Sequence, residues 1–152
     1  MKRLKAIVLG GTGATGQELV KLLLKDSRFS KVIIFVRKNP KIKHDKLTTY
    51  EIDFSRLNEY KGLIHGDVIF SALGTTLSQA GSKTQQYLVD FTYQFEFAKM
   101  GFENKVTHYS LVSSVGANIK SFFFYPKTKG ALEEAIKKLG FNNIYIFQPP
   151  FL

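Results

Sequence analysis

The sequence has no cysteine and no tryptophan, only four prolines, and about half as many acidic as basic side chains (12 against 22). Without cysteine there are no disulfides, no thiolate metal sites and no thiol nucleophile. The three histidines, His44, His65 and His108, are too far apart in sequence to resemble a metal-ligand set. No apolar run approaches the roughly 18–20 residues of a membrane-spanning helix, and residues 1–9 lead directly into a glycine-rich turn without a secretory h-region. These absences lead us to expect a cytoplasmic protein with neither a metal centre nor a membrane association.

The remaining composition, 44% hydrophobic and 22% charged, is that of a folded globular chain. Its 152 residues amount to one domain's worth. We find no repeat, low-complexity tract or linker, so residues 1–152 are expected to form a single domain. The formal net charge of +10 is spread along the chain. Its densest cluster, Arg37, Lys38, Lys41, Lys43 and Lys46, has no interleaved aromatics. A solvated lysine-rich surface with an attraction for an anionic small molecule therefore explains it better than specific nucleic-acid binding.

Short β-branched apolar runs alternate with helical periodicities, which predicts βαβ units around a parallel sheet. Strands are expected at residues 5–9, 31–36, 48–52, 67–72, 107–113 and 144–147. Helices are expected at 15–25, 83–101 and 126–139. Leu19, Val20, Leu22, Leu23 and Leu24 would form the buried side of the first helix, and Glu133/Lys137 and Glu134/Lys138 would pair at i,i+4 on the last. The fold class is α/β, a doubly wound parallel sheet of about six strands in the order 3-2-1-4-5-6 with helices on both faces.

Directly after the first strand, Gly10, Gly11, Gly13 and Gly16 satisfy both GxGxxG and GxxGxxG. A chain that turns tightly, lets its backbone approach a pyrophosphate and offers free helix N–H groups to the anion needs glycines at this spacing. The strand before and the helix after supply the context that such a motif requires. No lysine in the turn means no P-loop. Gly10, Thr12, Gly13, Ala14, Thr15 and Gly16 are the candidate phosphate-binding residues. About twenty residues further on, where an acidic side chain would bind the ribose 2′-hydroxyl of NAD, the sequence has Arg37 and Lys38. A guanidinium there suits a 2′-phosphate, so NADP(H) is favoured over NAD(H). Asp53, with Phe54 beside it, is the candidate for the adenine amino group. Ala72, Leu73, Gly74 and Thr75, after the fourth strand, would line the groove.

Downstream, Tyr125 and Lys129 form a Tyr-x-x-x-Lys at a helix start, preceded by Ser113 and Ser114 at the end of the fifth strand. A spacing of four puts phenol and ammonium on one helix face. An adjacent ammonium is expected to depress the phenol pKa, so that the phenol exchanges a proton with a carbonyl or alcohol while a serine hydroxyl steadies the same oxygen.

In this ordered combination the chain resembles the short-chain dehydrogenase/reductase superfamily, and more narrowly its atypical, extended-type NAD(P)-binding group of TIP30-like oxidoreductases. The resemblance runs over essentially all of the sequence: the glycine turn, Val36-Arg37-Lys38, residues 71–76 with Ala80-Gly81-Ser82, Val89-Asp90, residues 113–117 and residues 125–133. It implies a three-layer Rossmann fold. Tyr125 would be the proton donor, Lys129 its activator and a ligand of the nicotinamide-side ribose, and Ser114, with Ser113 as the alternative, the orienting serine. Pro149, Pro150 and Phe151 would lie by the carboxamide. Relatives continue for some tens of residues past the sixth strand into segments that close the substrate pocket, and this chain is expected to lack them. Either the sequence is a fragment of a longer protein, or a second copy or another protein completes the edge. The implied activity is an NADP-dependent reductase or dehydrogenase on a small carbonyl or alcohol. The alternative is a non-catalytic NADP(H)-sensing regulator acting through a protein partner. Nucleotide-sugar epimerisation uses the same Tyr and Lys, but the short chain leaves little room for a sugar-nucleotide lobe.

Overall fold

The computed structural model describes residues 2–150. In chain order they form β1 (Leu4–Leu9), α1 (Ala14–Lys25), β2 (Phe29–Val36), β3 (Leu47–Glu51), a 3-10 run (Phe54–Leu63) and β4 (Val68–Ser71). There follow α2 (Leu77–Ala80), α3 (Lys83–Tyr87), a π-helical turn (Leu88–Thr92), α4 (Tyr93–Glu103), β5 (His108–Val112), α5 (Phe124–Lys137) and β6 (Asn143–Phe147). All six strands are parallel, in the expected order β3-β2-β1-β4-β5-β6. The chain runs outward from β1 to β3 and returns to β4 on the other side of β1. A parallel sheet opens a crevice at such a reversal, beyond the carboxyl ends of the strands.

Alternation along the central strands divides the core. Ala6 and Val8 pack with Val32, Ile34 and Val36 under Val20 and Leu23 of α1. Ile7 and Leu9 pack with Ile33, Phe35 and Ile69 on the other face, against Phe97, Leu132 and Ile136 of α4 and α5. Both faces of β1 are covered, which explains why it is a continuous apolar run rather than an alternating one. At the far edge, Tyr145 and Phe147 of β6 point to the α1 side of the sheet, in register with Ser110 and Val112, and are more than half exposed.

Several local expectations need correction. Leu22 is 68% exposed. The buried residues of α1 are Gly16, Val20 and Leu23, a stripe at i, i+4, i+7 that leaves Leu22 on the opposite side. The last helix begins at Phe124, not Pro126. Proline is accepted there because N–H groups in a helix's first turn have no intrahelical partner. Neither expected i,i+4 pair of α5 forms: Lys137 pairs with Glu134 at i,i+3, and Glu133 is buried. The 3-10 run and α2 were not foreseen. The predicted helix over 83–101 is interrupted at its centre by the π-turn, whose extra residue frees carbonyls that normal helical bonding would use. Gln94, fully buried, takes them up: its Nε2 donates to the carbonyls of Val89, Asp90 and Leu73, while its Oε1 accepts from Ser71 Oγ at 2.8 Å. This side chain fastens the π-turn to the end of β4.

Leu132, with no exposed surface, packs α5 onto the sheet. Leu132→Ala is expected to lower stability by about 2–5 kcal/mol, read as the midpoint of denaturant unfolding.

Candidate functional site

Gly10 and Gly16 have separate steric reasons to be glycine, and Gly13 has another. Gly10 has φ +76°, and the Ala72–Leu73 backbone passes so close that a Cβ would overlap it. A Cβ on Gly16 would run into the Gly10 carbonyl oxygen. Gly13 is different, since a Cβ there would meet only Gly10 O, at 3.5 Å. Its missing side chain leaves open space in front of the helix instead of relieving a clash. Gly13 is also the N-cap of α1 and makes no side-chain cap bond, and the first turn carries no acidic residue. The helix start therefore keeps its N–H groups and partial positive charge for an external anion. Thr12, Ala14 and Thr15 are exposed around it, with the Thr12 carbonyl held by Gln17 Nε2 at 2.8 Å. The turn thus fits a pyrophosphate.

Arg37 and Lys38 follow β2 directly, are exposed, and enter no ion pair among the described residues. Asp53 caps the 3-10 run: its Oδ1 accepts from Ser55 N and Ser55 Oγ, at 2.9 and 2.6 Å, and these bonds hold the carboxyl below the usual range. Only its other oxygen is left to accept from a ligand. Phe54 does not offer its ring to a groove. It is buried beside Tyr93, with ring centroids 5.9 Å apart, so any contact from it must come through the backbone.

From the turn, contacts lead across the sheet. Ala72 and Leu73 abut Gly10. Thr75 N donates to Asp90 Oδ1 at 3.0 Å, and Asp90 Oδ1 also lies next to Gly74. Asp90 sits on the π-turn with no exposed surface, and burial pushes its carboxyl above the ordinary range against the field of Lys129. On α5, Lys129 is only 3% exposed, with its ammonium 5.9 Å from the Tyr125 ring centroid. Burial holds Lys129 below the usual lysine value, while Asp90 and Glu133 oppose that shift. Asp90 was quoted in sequence only as part of a resemblance. The signal for its role is the π-turn that carries it, which no hydrophobic periodicity reveals.

The two serines separate. Ser113 Oγ donates to buried Glu133 Oε2 at 2.6 Å, and Gln148 Nε2 donates to both Glu133 oxygens at 3.1 Å. This closed network ties the ends of β5 and β6 to α5. Ser114 stands outside this network: its Oγ donates to the Val115 carbonyl at 3.3 Å, and its hydroxyl acts to lower the Tyr125 phenol. The expectation that the neighbouring ammonium depresses Tyr125 is corrected: burial, then Asp90, raise the phenol above the ordinary tyrosine value, and the Ser114 hydroxyl pulls it back. The carboxylate on the π-turn was absent from the simpler two-residue picture. Pro149 is held beside the loop after β5, its carbonyl accepting from Val115 N at 3.0 Å. Phe151 lies outside the described residues.

The turn's geometry predicts the sign of a substitution that helix propensity would get backwards. Gly16→Ala should favour α1 by about 1 kcal/mol, but the clash with Gly10 makes it destabilising, by roughly 1–3 kcal/mol. It should also weaken NADPH binding, with thermal melting and fluorescence titration as the measurements.

Residues 10–146 match the family described as NAD(P)H-binding. The mitochondrial protein FMP52 of Candida albicans is 36% identical over 151 residues, covering 96% of this chain and 66% of that protein. Protein HTATIP2 of Rattus norvegicus is 32% identical over 156 residues, covering 100% of this chain and 64% of that one. The chain thus spans about two thirds of the length of these relatives. Among solved structures, WbmG of Bordetella bronchiseptica in complex with NAD superposes with a TM-score of 0.78 at 11% identity, covering 96% of this chain and 53% of that one. A UDP-glucose 4-epimerase of Thermotoga maritima gives 0.75 at 15% identity, covering 95% and 54%. At these identities the likeness is one of fold. The cytoplasmic expectation is overturned, because the fungal relatives are named as mitochondrial; a missing secretory h-region bears on secretion alone. With a family model matching over most of its length, the chain belongs to the NAD(P)H-binding family.

Proposed function

We propose that the protein is an NADP(H)-dependent reductase or dehydrogenase acting on a small carbonyl or alcohol. The observation that carries this reading is the line from the phosphate turn to a proton-transfer group: Gly10 abuts Ala72–Leu73, Thr75 N donates to Asp90, and the field of Asp90 reaches Lys129 and Tyr125. Gly10, Gly13 and Gly16 would hold the pyrophosphate at α1, Arg37 and Lys38 the 2′-phosphate, and the free oxygen of Asp53 the adenine edge. Ala72 to Thr75 would floor the groove, with Pro149 at the nicotinamide end.

The bound cofactor supplies or accepts the hydride. The residues of the chain handle the oxygen of the substrate. Tyr125, held as a phenol, donates a proton to the carbonyl oxygen. Ser114, whose hydroxyl acts on the Tyr125 phenol, orients that oxygen. Lys129, buried and charged beside the phenol, stabilises the negative charge that Tyr125 acquires as the proton leaves. Ser113, bonded to Glu133, holds the strand end and takes no part in the transfer.

The sensing alternative draws on one observation. Phe122 and Phe123, immediately before α5, are 96% and 71% exposed, and apolar side chains that protrude this far favour contact with a further polypeptide.

Tyr125→Phe is expected to lower turnover of NADPH with a carbonyl panel on the order of 10²–10⁴-fold while leaving NADPH affinity nearly unchanged. NADPH binding without turnover by either the parent or this variant would leave the sensing reading standing. Arg37→Ala should weaken NADP(H) by ~1.5–3 kcal/mol, the worth of a charge-assisted bond, and NAD(H) little; equal losses in parallel titrations would overturn the 2′-phosphate assignment.

A further inference from the structure

Among the described residues, two buried polar side-chain atoms have no hydrogen-bond partner, Asp90 Oδ2 and the Tyr109 hydroxyl. A hydroxyl tolerates this far better than a carboxylate, whose charge must be compensated when it leaves water. Asp90 is fully buried, and its surroundings come from three directions. The loop after β4 gives the Thr75 N–H to Oδ1 at 3.0 Å. Its own helical segment gives Gln94, whose Nε2 donates to the Asp90 backbone carbonyl at 3.3 Å. α5 packs against the π-turn and carries Tyr125 and the buried Lys129, both of which feel the charge of Asp90, while Lys129 also feels that of Glu133. Yet no ion pair joins Asp90 to Lys129 among the described residues. Two opposite buried charges face one another without touching, so the carboxylate acts on the ammonium through its field.

We propose that Asp90 is a positioning residue with two tasks: one oxygen pins the Gly74–Thr75 loop of the groove to the π-turn, and the other supplies the countercharge that keeps Lys129 an ammonium and Tyr125 a phenol. The proposal rests on the assignment of Tyr125 and Lys129 as the reacting pair. The directions of titration agree with it. Asp90 raises both Lys129 and Tyr125, and Lys129 lowers Asp90. The π-turn explains how the arrangement is reached, because its extra residue rotates the preceding helical segment relative to α4, and Gln94 secures the freed carbonyls.

Asparagine at position 90 retains an acceptor for the Thr75 N–H but removes the charge, whereas alanine removes both. In the cofactor-free protein, the pH dependence of Lys129 acylation by acetic anhydride, followed by peptide mass spectrometry, gives the lysine midpoint. Phenolate absorbance against a Tyr125→Phe reference gives the tyrosine midpoint. Asp90→Asn should lower both, and a fall of one pH unit makes Lys129 acylation about tenfold faster below the midpoint. Asp90→Asn should leave NADPH affinity close to that of the parent, and Asp90→Ala should weaken it several-fold by releasing the loop. Unchanged midpoints in Asp90→Asn, or equal affinity losses in the two variants, would overturn the proposal. If Asp90→Asn does not fold, Lys129→Met reads the same coupling in reverse: the Asp90 carboxyl midpoint, followed by carbon NMR, should rise, and an unchanged value would overturn the proposal. None of these titrations needs turnover. Shifted midpoints in an inactive protein would count against the reductase reading alone, and fixed midpoints in an active one against Asp90 alone.

Discussion

The arrangement depends on one close approach, that of Gly10 to the Ala72–Leu73 backbone, where the carboxyl ends of β1 and β4 lie side by side. No side chain fits between them. The same contact brings the loop after β4 against the phosphate turn, so residues about sixty positions apart in sequence share one groove. Gly16 repeats the constraint one helical turn on, since it lets α1 start directly over the Gly10 carbonyl. Gly13 alone of the three spends its missing side chain on empty space, and that space lies before uncapped helix N–H groups. Two glycines therefore build the turn and the third leaves it open.

Charge at the far end of the groove is handled in two ways. Glu133 is buried but satisfied, with Ser113 and Gln148 donating to its oxygens; a closed network of this kind fixes geometry. Asp90 is buried and half satisfied, and Lys129 lies between the two carboxylates in the electrostatic sense, with both opposing the effect of its burial. A lysine so enclosed without negative neighbours would tend to lose its proton. The neighbouring serines show how finely this is divided: Ser113 Oγ is taken up by Glu133, whereas Ser114 Oγ stays outside that network and bonds the Val115 carbonyl.

The fold was legible because its signals are local. The all-buried run from Ala6 to Leu9 and the glycine spacing are short-range signals, and the parallel βαβ organisation follows from the alternation of strands and helices. What was missed depends on contacts between distant segments. The 3-10 run lacks a strong apolar stripe, so nothing in its pattern separates it from a loop. The π-turn leaves the helical period nearly intact to the eye, and only the Gln94 bonds reveal the slip. The choice between Ser113 and Ser114 rested on Glu133, which the sequence presented as a surface ion-pair partner for Lys137. Leu22 failed for a related reason, because a leucine-rich stretch does not itself say which leucines face the sheet.

Tyr125 shows how those distant contacts bear on chemistry. Judged from Tyr-x-x-x-Lys alone, the phenol should be easier to ionise than a free tyrosine. In place it is harder, because burial and Asp90 outweigh any help from the ammonium. In the proposed reaction this asymmetry favours one direction. A group that must give a proton to a carbonyl oxygen has to carry it at the outset, and both burial and Asp90 ensure that it does. The charge left after transfer is a phenolate close to Lys129, with the Ser114 hydroxyl acting on it, so the groups that stabilise it come into play as the proton moves. Interactions that strengthen only as charge develops lower the barrier, whereas those already present in the resting state do not. On this reasoning, the raised pKa of the resting phenol is compatible with proton donation, and the catalytic contribution of Lys129 lies in what it does to the phenolate.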